Sequence, residues 1–294
     1  MAATSAIRQV QTPRRFGLTL WLVRSVPASV GIGLFVVSLL VVLAAVGQWL
    51  WPVSPDAQNL YLIAAKPGAA HWLGTDTLGR DVFARVIAGA RSAVVGPLII
   101  AASGLVVSSL LGVGAAYLGG AVDNLTLRVV DIMLALPGLL IAIVIVSLGG
   151  GGYWMAILVL SILNVQGDIR IVRGATLDQK SLPYIEAARI LGIPRWRIMF
   201  MHILPNISAI LVADFALDFA LALVALSGLA FLGLGAQPGT PEWGTMLSDN
   251  EAILFTNPLG SLAPAAAIVL LAVSVNLIGD WIFDRYAGRG RFVR

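Results

Sequence analysis

Apolar positions along this chain are gathered into long charge-free runs. Residues 25–55, 92–122, 132–167 and 252–279 contain no Asp, Glu, Lys or Arg. A helix rises about 1.5 Å per residue and a bilayer's hydrocarbon core is about 30 Å thick, so each run can cross it. As one helix, 132–167 would reach roughly 54 Å, too far for a single span. Gly149-Gly150-Gly151-Gly152 lies inside that run and is the natural place for a tight reversal, so the run reads as two helices. With a further apolar segment after Pro205, the pattern predicts an all-α membrane protein with six transmembrane helices, at about 27–50, 93–118, 129–148, 153–171, 207–233 and 259–282.

Three finer patterns accompany the spans. Gly104, Ser108, Gly112 and Ala116 recur every four residues in the second span, a small-residue face that lets helix backbones approach closely, within the chain or across a subunit boundary. Val82, Phe83, Val86 and Ile87 form an apolar stripe with Arg85 on another face, which predicts a short helix lying in the outer interface. The segment GLGAQPGTPEWGTMLSDN, Gly233 to Asn250, is rich in Gly and Pro. It reads either as a re-entrant segment shaping the outer mouth of a pathway, with Trp243 beside it, or as an interfacial turn with Trp243 as aromatic anchor.

Composition fixes the class. The chain is 59% hydrophobic and 12% charged, with mean hydropathy +0.92, whereas soluble domains carry roughly 25% charged residues. It has no cysteine, which removes disulfides, thiolate nucleophiles and thiolate metal sites. With the N-terminus inside, fifteen of the nineteen basic residues fall on the cytosolic side and four (Lys66, Arg80, Arg85, Arg91) outside, so both termini are expected in the cytosol. Retention on that face accounts for the basic tails without nucleic acid. The first apolar run exceeds the 7–15 residues of a signal-peptide core and is read as a retained anchor. The expected organisation is a cytosolic tail (1–26), the anchor (27–50), an extracytoplasmic loop with the interfacial helix (51–91), a transmembrane domain (92–282) interrupted by a cytosolic loop (172–206), and a basic tail (283–294).

That cytosolic loop is patterned throughout. Pro183 suits the first turn of a helix, and Tyr184, Ala187, Ala188 and Leu191 follow at i, i+3, i+4, i+7. Glu186 and Arg189 lie off this stripe and are placed to pair at i, i+3. Gly192 then Pro194 is a stop signal. Pro194 opens a second helix in which Trp196, Met199, Phe200 and Ile203 repeat the spacing; Arg195 and Arg197 are placed to reach lipid phosphates, and Pro205 closes the piece. The first helix has Ala-Ala at its centre, which leaves room for another surface.

The order Glu-Ala-Ala, three residues, Gly, nine residues and a terminal x-x-Leu-Pro (Glu186 to Pro205) resembles the cytoplasmic loop signature of binding-protein-dependent ABC importer permeases. HILPN (His202 to Asn206), LGTDTLGRDVFARVIAGAR (Leu73 to Arg91), FLGLGAQPGTPEWGTML (Phe231 to Leu247) and NLIGD (Asn276 to Asp280) are similar to the second permease of the dipeptide/oligopeptide branch. The chain departs from relatives in having Leu226 and Phe283 where they often have Glu and Arg. The resemblance implies a type I ABC importer permease fold in a bacterial inner membrane, importing di- or oligopeptides, or nickel chelates or glutathione in related branches. It implies a homologous permease partner, an extracytoplasmic peptide-binding protein and two ATPase subunits that hold ATP and Mg. It makes Tyr184, Glu186, Ala187, Ala188, Leu191 and Gly192 the ATPase-coupling element, with Pro194, His202, Leu204 and Pro205 as elbow and exit.

The chain's own chemistry is sparse. Both lysines, Lys66 and Lys180, follow residues other than Gly, so there is no phosphate loop, and no cofactor is expected on this chain. His71 and His202 are expected on opposite sides and cannot share a metal; no HExxH or GxSxG is present, so neither a catalytic residue nor a metal ligand set is expected. His202 is expected to bond loop backbone. Asp214 and Asp218 lie four apart on one face of the fifth span, where a carboxylate is costly and usually faces a cavity or a partner. They read either as part of a translocation path favouring a peptide's cationic end or as a structural pair at a helix interface. A proton-coupled secondary transporter using the two aspartates is the rival from another class; it predicts internal repeats with paired broken helices, which the sequence lacks.

Overall fold

The computed structural model describes residues 26–50, 53–237 and 239–289. The expected tail 1–26 lies outside the described residues but for its last residue, whereas 283–289 of the expected tail 283–294 continue the last helix. Among the described residues the chain is helical with no strand, and five helices are long and apolar enough to cross a membrane, six if one bent pair counts as a span.

Helix α1 (Ala28–Leu50) coincides with the first expected span, 27–50. Helix α2 (Val82–Leu118) runs 37 residues, roughly 55 Å. Asp81 caps it, its Oδ1 accepting from the Ala84 N–H at 2.7 Å, and Gly119, with φ 68°, ends it. The predicted interfacial helix is therefore the first part of α2. Its stripe turns toward protein, Val82 completely buried, Ile87 nearly so and Phe83 and Val86 partly, and Arg85 on the other face is only 1% exposed. A short amphipathic pattern at a span's end has the same spacing whether its apolar face meets lipid or protein, which is why the two could not be told apart.

The predicted span 129–148 is a bent pair: α3 (Gly120–Leu134) and α4 (Gly138–Leu148), turned by 79°. Pro137 lacks an N–H and ends the α-helical ladder there. Gly150, Gly151 and Gly152, all with φ between 74° and 103°, make the predicted reversal. Helix α5 (Tyr153–Lys180) continues nine residues past the expected end at 171. Its polar extension is stabilised by ion pairs to α3: Arg170 to Asp131, and Arg173 to Asp123 at 2.6 Å. Helix α6 (Pro183–Ile190) is followed by one turn at Arg195–Arg197, a π-helical segment Ile198–Ile203, a 3₁₀ turn Leu204–Ile207 and α7 (Ser208–Phe231). Helix α8 (Trp243–Asp249) and α9 (Pro258–Arg289) complete the bundle.

The core has three parts along α2. At one end Val82, Ala90, Phe219, Leu223, Trp243, Met246 and Leu271 pack together. The middle contains Ile100, Val146, Leu160 and Leu226, and the far end Val113, Tyr117, Val172, Ile185, Ile198 and Ile203. The small-residue face of α2 settles the alternatives in favour of packing within the chain, against α5. A Cβ on Gly112 would lie 2.9 Å from Val172 Cβ and 3.0 Å from the Ile169 carbonyl oxygen, so the backbones approach as only glycine permits.

The LGTDTLGRD segment caps the Val82 end. Asp76 Oδ1 accepts from the N–H groups of Leu78 (2.9 Å) and Arg80 (2.8 Å), and its Oδ2 pairs with Arg80 Nε at 2.6 Å. His71 meets Asp81 at 2.7 Å, and Asn257 Nδ2 donates to the carbonyls of Leu73 (3.1 Å) and Thr75 (3.2 Å).

Gly112→Ala is expected to cost about 1–3 kcal/mol by overpacking, read as a lowered Tm of the purified protein. Gly114→Ala, on the same helix with open space around it, is expected to be neutral or slightly stabilising.

Candidate functional site

The Glu186–Asn206 region folds as two unlike pieces at the end of the bundle where α2 and α5 finish. Pro183 occupies the first turn of α6, as expected. Ile185 and Ala188 point inward onto Val113, Tyr117 and Val172. Of the expected stripe, Ala188 is therefore inward while Tyr184, Ala187 and Leu191 face out, Leu191 at 78% exposure with Ile190 beside it at 80%. Glu186 is also exposed. Arg189 does not pair with it; its guanidinium lies over the Tyr117 ring, 5.2 Å from the centroid.

The stop signal is realised as a Schellman motif. Gly192, with φ 72°, donates to Arg189 O at 3.0 Å, and Ile193 donates to Ala188 O at 3.1 Å. Ile193 packs into the same apolar cluster as Ala188, which fixes the direction in which the chain leaves. The outward face of α6 is thus held from behind by Ile185, Ala188 and Ile193.

The second piece is not the predicted α-helix. Pro194 does open it, but from Ile198 the hydrogen bonds run i to i+5, and the buried residues are Ile198 and Ile203, five apart. Trp196, from the expected stripe, is exposed. Pro205 does not close the piece. It sits in the 3₁₀ turn, and the widened turn before it leads into α7 without an interruption. Leu204 is half-buried against the elbow cluster. His202 bonds loop backbone as expected, its Nδ1 3.1 Å from Arg197 O. The Tyr184 hydroxyl donates to Gln179 Oε1 at 2.7 Å and lies 3.4 Å from His202 O, and Asn206 Nδ2 also donates to His202 O. Partial burial pushes the Tyr184 phenol up from its ordinary value, so it stays a donor. These bonds tie α6, the end of α5 and the π segment together.

Within the bundle, Asp214 and Asp218 share one face as expected, and a third carboxylate joins them. Asp168 of α5 offers an oxygen within 4.8 Å of oxygens from both. All three are buried, and two of them lie against α2 at Gly104, where a Cβ would lie 2.8 Å from Asp168 Oδ2 and 3.5 Å from Asp218 Oδ2. They sit at a helix interface inside the subunit rather than on an open face. Three carboxylates so placed are the one group among the described residues that could share a cation. Asp168 escaped the sequence reading because it falls just beyond a charge-free run, at the point taken for the end of a span. Its one signal is register, since it lies level with the small-residue face of α2.

Trp243, a candidate for the translocation path, is enclosed within the subunit. It is 1% exposed, its Nε1 donates to Val86 O at 2.9 Å, and Gly89 makes room for its ring. The segment around it turns inward rather than resting in the interface. Glu242 is buried and accepts from the Ala236 N–H at 2.8 Å, and burial pushes its carboxyl above the ordinary range. Arg85 reaches across to the carbonyls of Pro55 and Gly239, each at 3.2 Å. Glu242 was not named from sequence, and Arg85 was placed only on the face away from the apolar stripe, because a charge there reads as exposed.

Comparison with known proteins agrees with this architecture. A family described as binding-protein-dependent transport system inner membrane component matches residues 104–291. A glutathione transport system permease protein of Pectobacterium atrosepticum is 37% identical over 259 residues, 87% of this chain and 85% of that protein. A probable D,D-dipeptide transport system permease protein of Escherichia coli K12 is 34% identical over 282 residues, 96% of this chain and 94% of that protein.

Asp218→Asn is expected to relieve the crowding of three buried carboxyls and raise Tm by about 2–4 °C, as ~1 kcal/mol would. A fall in Tm would show that the carboxylate is held by a charge partner.

Proposed function

The chain belongs to the binding-protein-dependent transport system inner membrane components, and on that premise we propose that this ABC importer permease subunit carries short peptides across the bacterial inner membrane. In this reading it forms half of a translocation path with a homologous permease. Two separate ATPase subunits hold ATP and Mg, an extracytoplasmic binding protein delivers the peptide, and both termini lie in the cytosol.

The observation that carries the coupling assignment is the outward face of α6. Ala187, Ile190 and Leu191 are exposed on a helix locked from behind, beyond the apolar spans, and an apolar patch in that position serves contact with another protein. Ala187 leaves room for close approach, Glu186 supplies a carboxylate to bond across the contact, and Gly192 sets the angle at which the face is presented. The elbow through Pro194, His202, Leu204 and Pro205 passes a displacement of that face to α7. A proton-driven mechanism would need Asp214 and Asp218 in reach of water, and both are buried in the subunit.

The relatives bear the names of glutathione and dipeptide systems. Both cargoes are small peptides with free charged ends, so the substrate class proposed is a short peptide, with glutathione as the second reading.

Purification from a membrane holding the whole operating system should recover two permeases and two ATPases. Ala187→Trp, which alters only an outward position, is expected to leave Tm unchanged and cut peptide uptake by at least about tenfold, the factor given by ~1.4 kcal/mol of lost docking. Uptake that persists without any ATPase would overturn the assignment.

A further inference from the structure

We propose that the cavity enclosed by the ends of α2 and α5 and the elbow binds a phosphate group, either the headgroup of an anionic phospholipid or free phosphate. The cavity has a volume of about 460 Å³ and is lined by Tyr117, Leu118, Lys180, Arg189, Ile193, Arg195 and Ile198. Its charged lining is three cations and no acid. That is costly unless something anionic enters or water screens it, because like charges raise one another's energy.

The three cations are not equally committed. Lys180 Nζ donates to Ala116 O at 2.8 Å, where it caps the C-terminal end of α2 and lies 5.8 Å from the Tyr117 ring centroid. Arg189 lies over the same ring, 5.2 Å from its centroid, a contact that uses none of its N–H donors. Arg195 is exposed. Among the described residues, neither arginine makes an ion pair or donates a side-chain hydrogen bond. The nearby acid, Asp123, is engaged by both Nε and Nη2 of Arg173, at 2.6 and 2.7 Å. Two guanidinium forks with free donors, beside an ammonium, match the geometry and charge of a phosphate. Exposed Leu118 in the lining, with exposed Trp196 next in the chain to Arg195, suits a cavity at headgroup level, and basic pockets between membrane helices hold such headgroups. The site stands whether or not α6 docks an ATPase.

The test uses the full chain in detergent, with phosphatidylglycerol, phosphatidylcholine or inorganic phosphate added, and reads retained ligand by native mass spectrometry together with Tm. The expected result is retention of phosphatidylglycerol over phosphatidylcholine and a raised Tm. Both effects should fall roughly tenfold in effective ligand concentration for Arg195→Gln, as loss of charge-assisted bonds predicts, and further for Arg189→Gln/Arg195→Gln. Arg195 touches nothing that folding needs, so the single variant reports binding alone. Arg197→Gln, over the Trp196 ring and outside the cavity lining, should leave binding unchanged. Protection by phosphate alone, without lipid, would assign the source as a free anion. Equal binding by wild type and Arg195→Gln, or no preference for either anion, would overturn the proposal. So would loss of ATPase association in Arg195→Gln without any anion binding, which would make the cavity a seat for an acidic side chain of the ATPase.

Discussion

Close approach of α2 to α5 is the constraint on which the other parts of the subunit depend. In a bilayer no hydrophobic force separates one apolar helix from lipid and joins it to another, so contact has to come from fit. Gly104, Ser108, Gly112 and Ala116 supply it by removing side chains along one edge of α2. The Val172 side chain and Ile169 carbonyl fill the space at Gly112, and the carboxyls of Asp168 and Asp218 that at Gly104. Because α2 is so long, the same helix also receives Trp243 above Gly89 at one end and carries Val113 and Tyr117 under the elbow at the other.

The elbow inherits its precision from that packing. Helix α6 has only eight residues and would not persist alone in water. It persists because Ile185 and Ala188 are seated on α2 and α5, because Gly192 adopts the left-handed conformation that closes its C-terminus, and because Tyr184 bonds to Gln179. A helix so fixed can present unsatisfied apolar surface outward without collapsing onto its own bundle. An unanchored loop with the same residues would bury Ile190 and Leu191 wherever it could.

Much of this was legible in the sequence, and the failures have a common form. Charge-free runs, the Gly-rich reversal and the Gly192-Pro194 stop report local chemistry, and the reversal, the stop and most of the spans were found where expected, the bent pair α3–α4 excepted. Questions about which side of a helix faces what were answered less well. Periodicity identifies an apolar stripe but not its partner, so the Val82–Ile87 stripe was taken for a lipid contact, and Ile185 was passed over although it holds α6 in place. Charged residues misled in the same way: Arg170 and Arg173 marked the end of a span, yet Asp131 and Asp123 on α3 pair with them and let α5 continue. The π segment left no signal beyond the five-residue interval between Ile198 and Ile203, which a reading at 3.6 residues per turn passes over.

That segment has a mechanical meaning. A π turn holds more chain per turn than an α turn, so the backbone between Arg197 and Leu204 contains surplus length. Taking up one residue of surplus is a screw motion, an advance of about 1.5 Å with a rotation of about 100°. In the proposed coupling, a pull on α6 arrives at α7 as torque rather than as simple translation, and the first charged groups to be swung by it are Asp214 and Asp218. Under that proposal the π segment is a thread between handle and membrane wall.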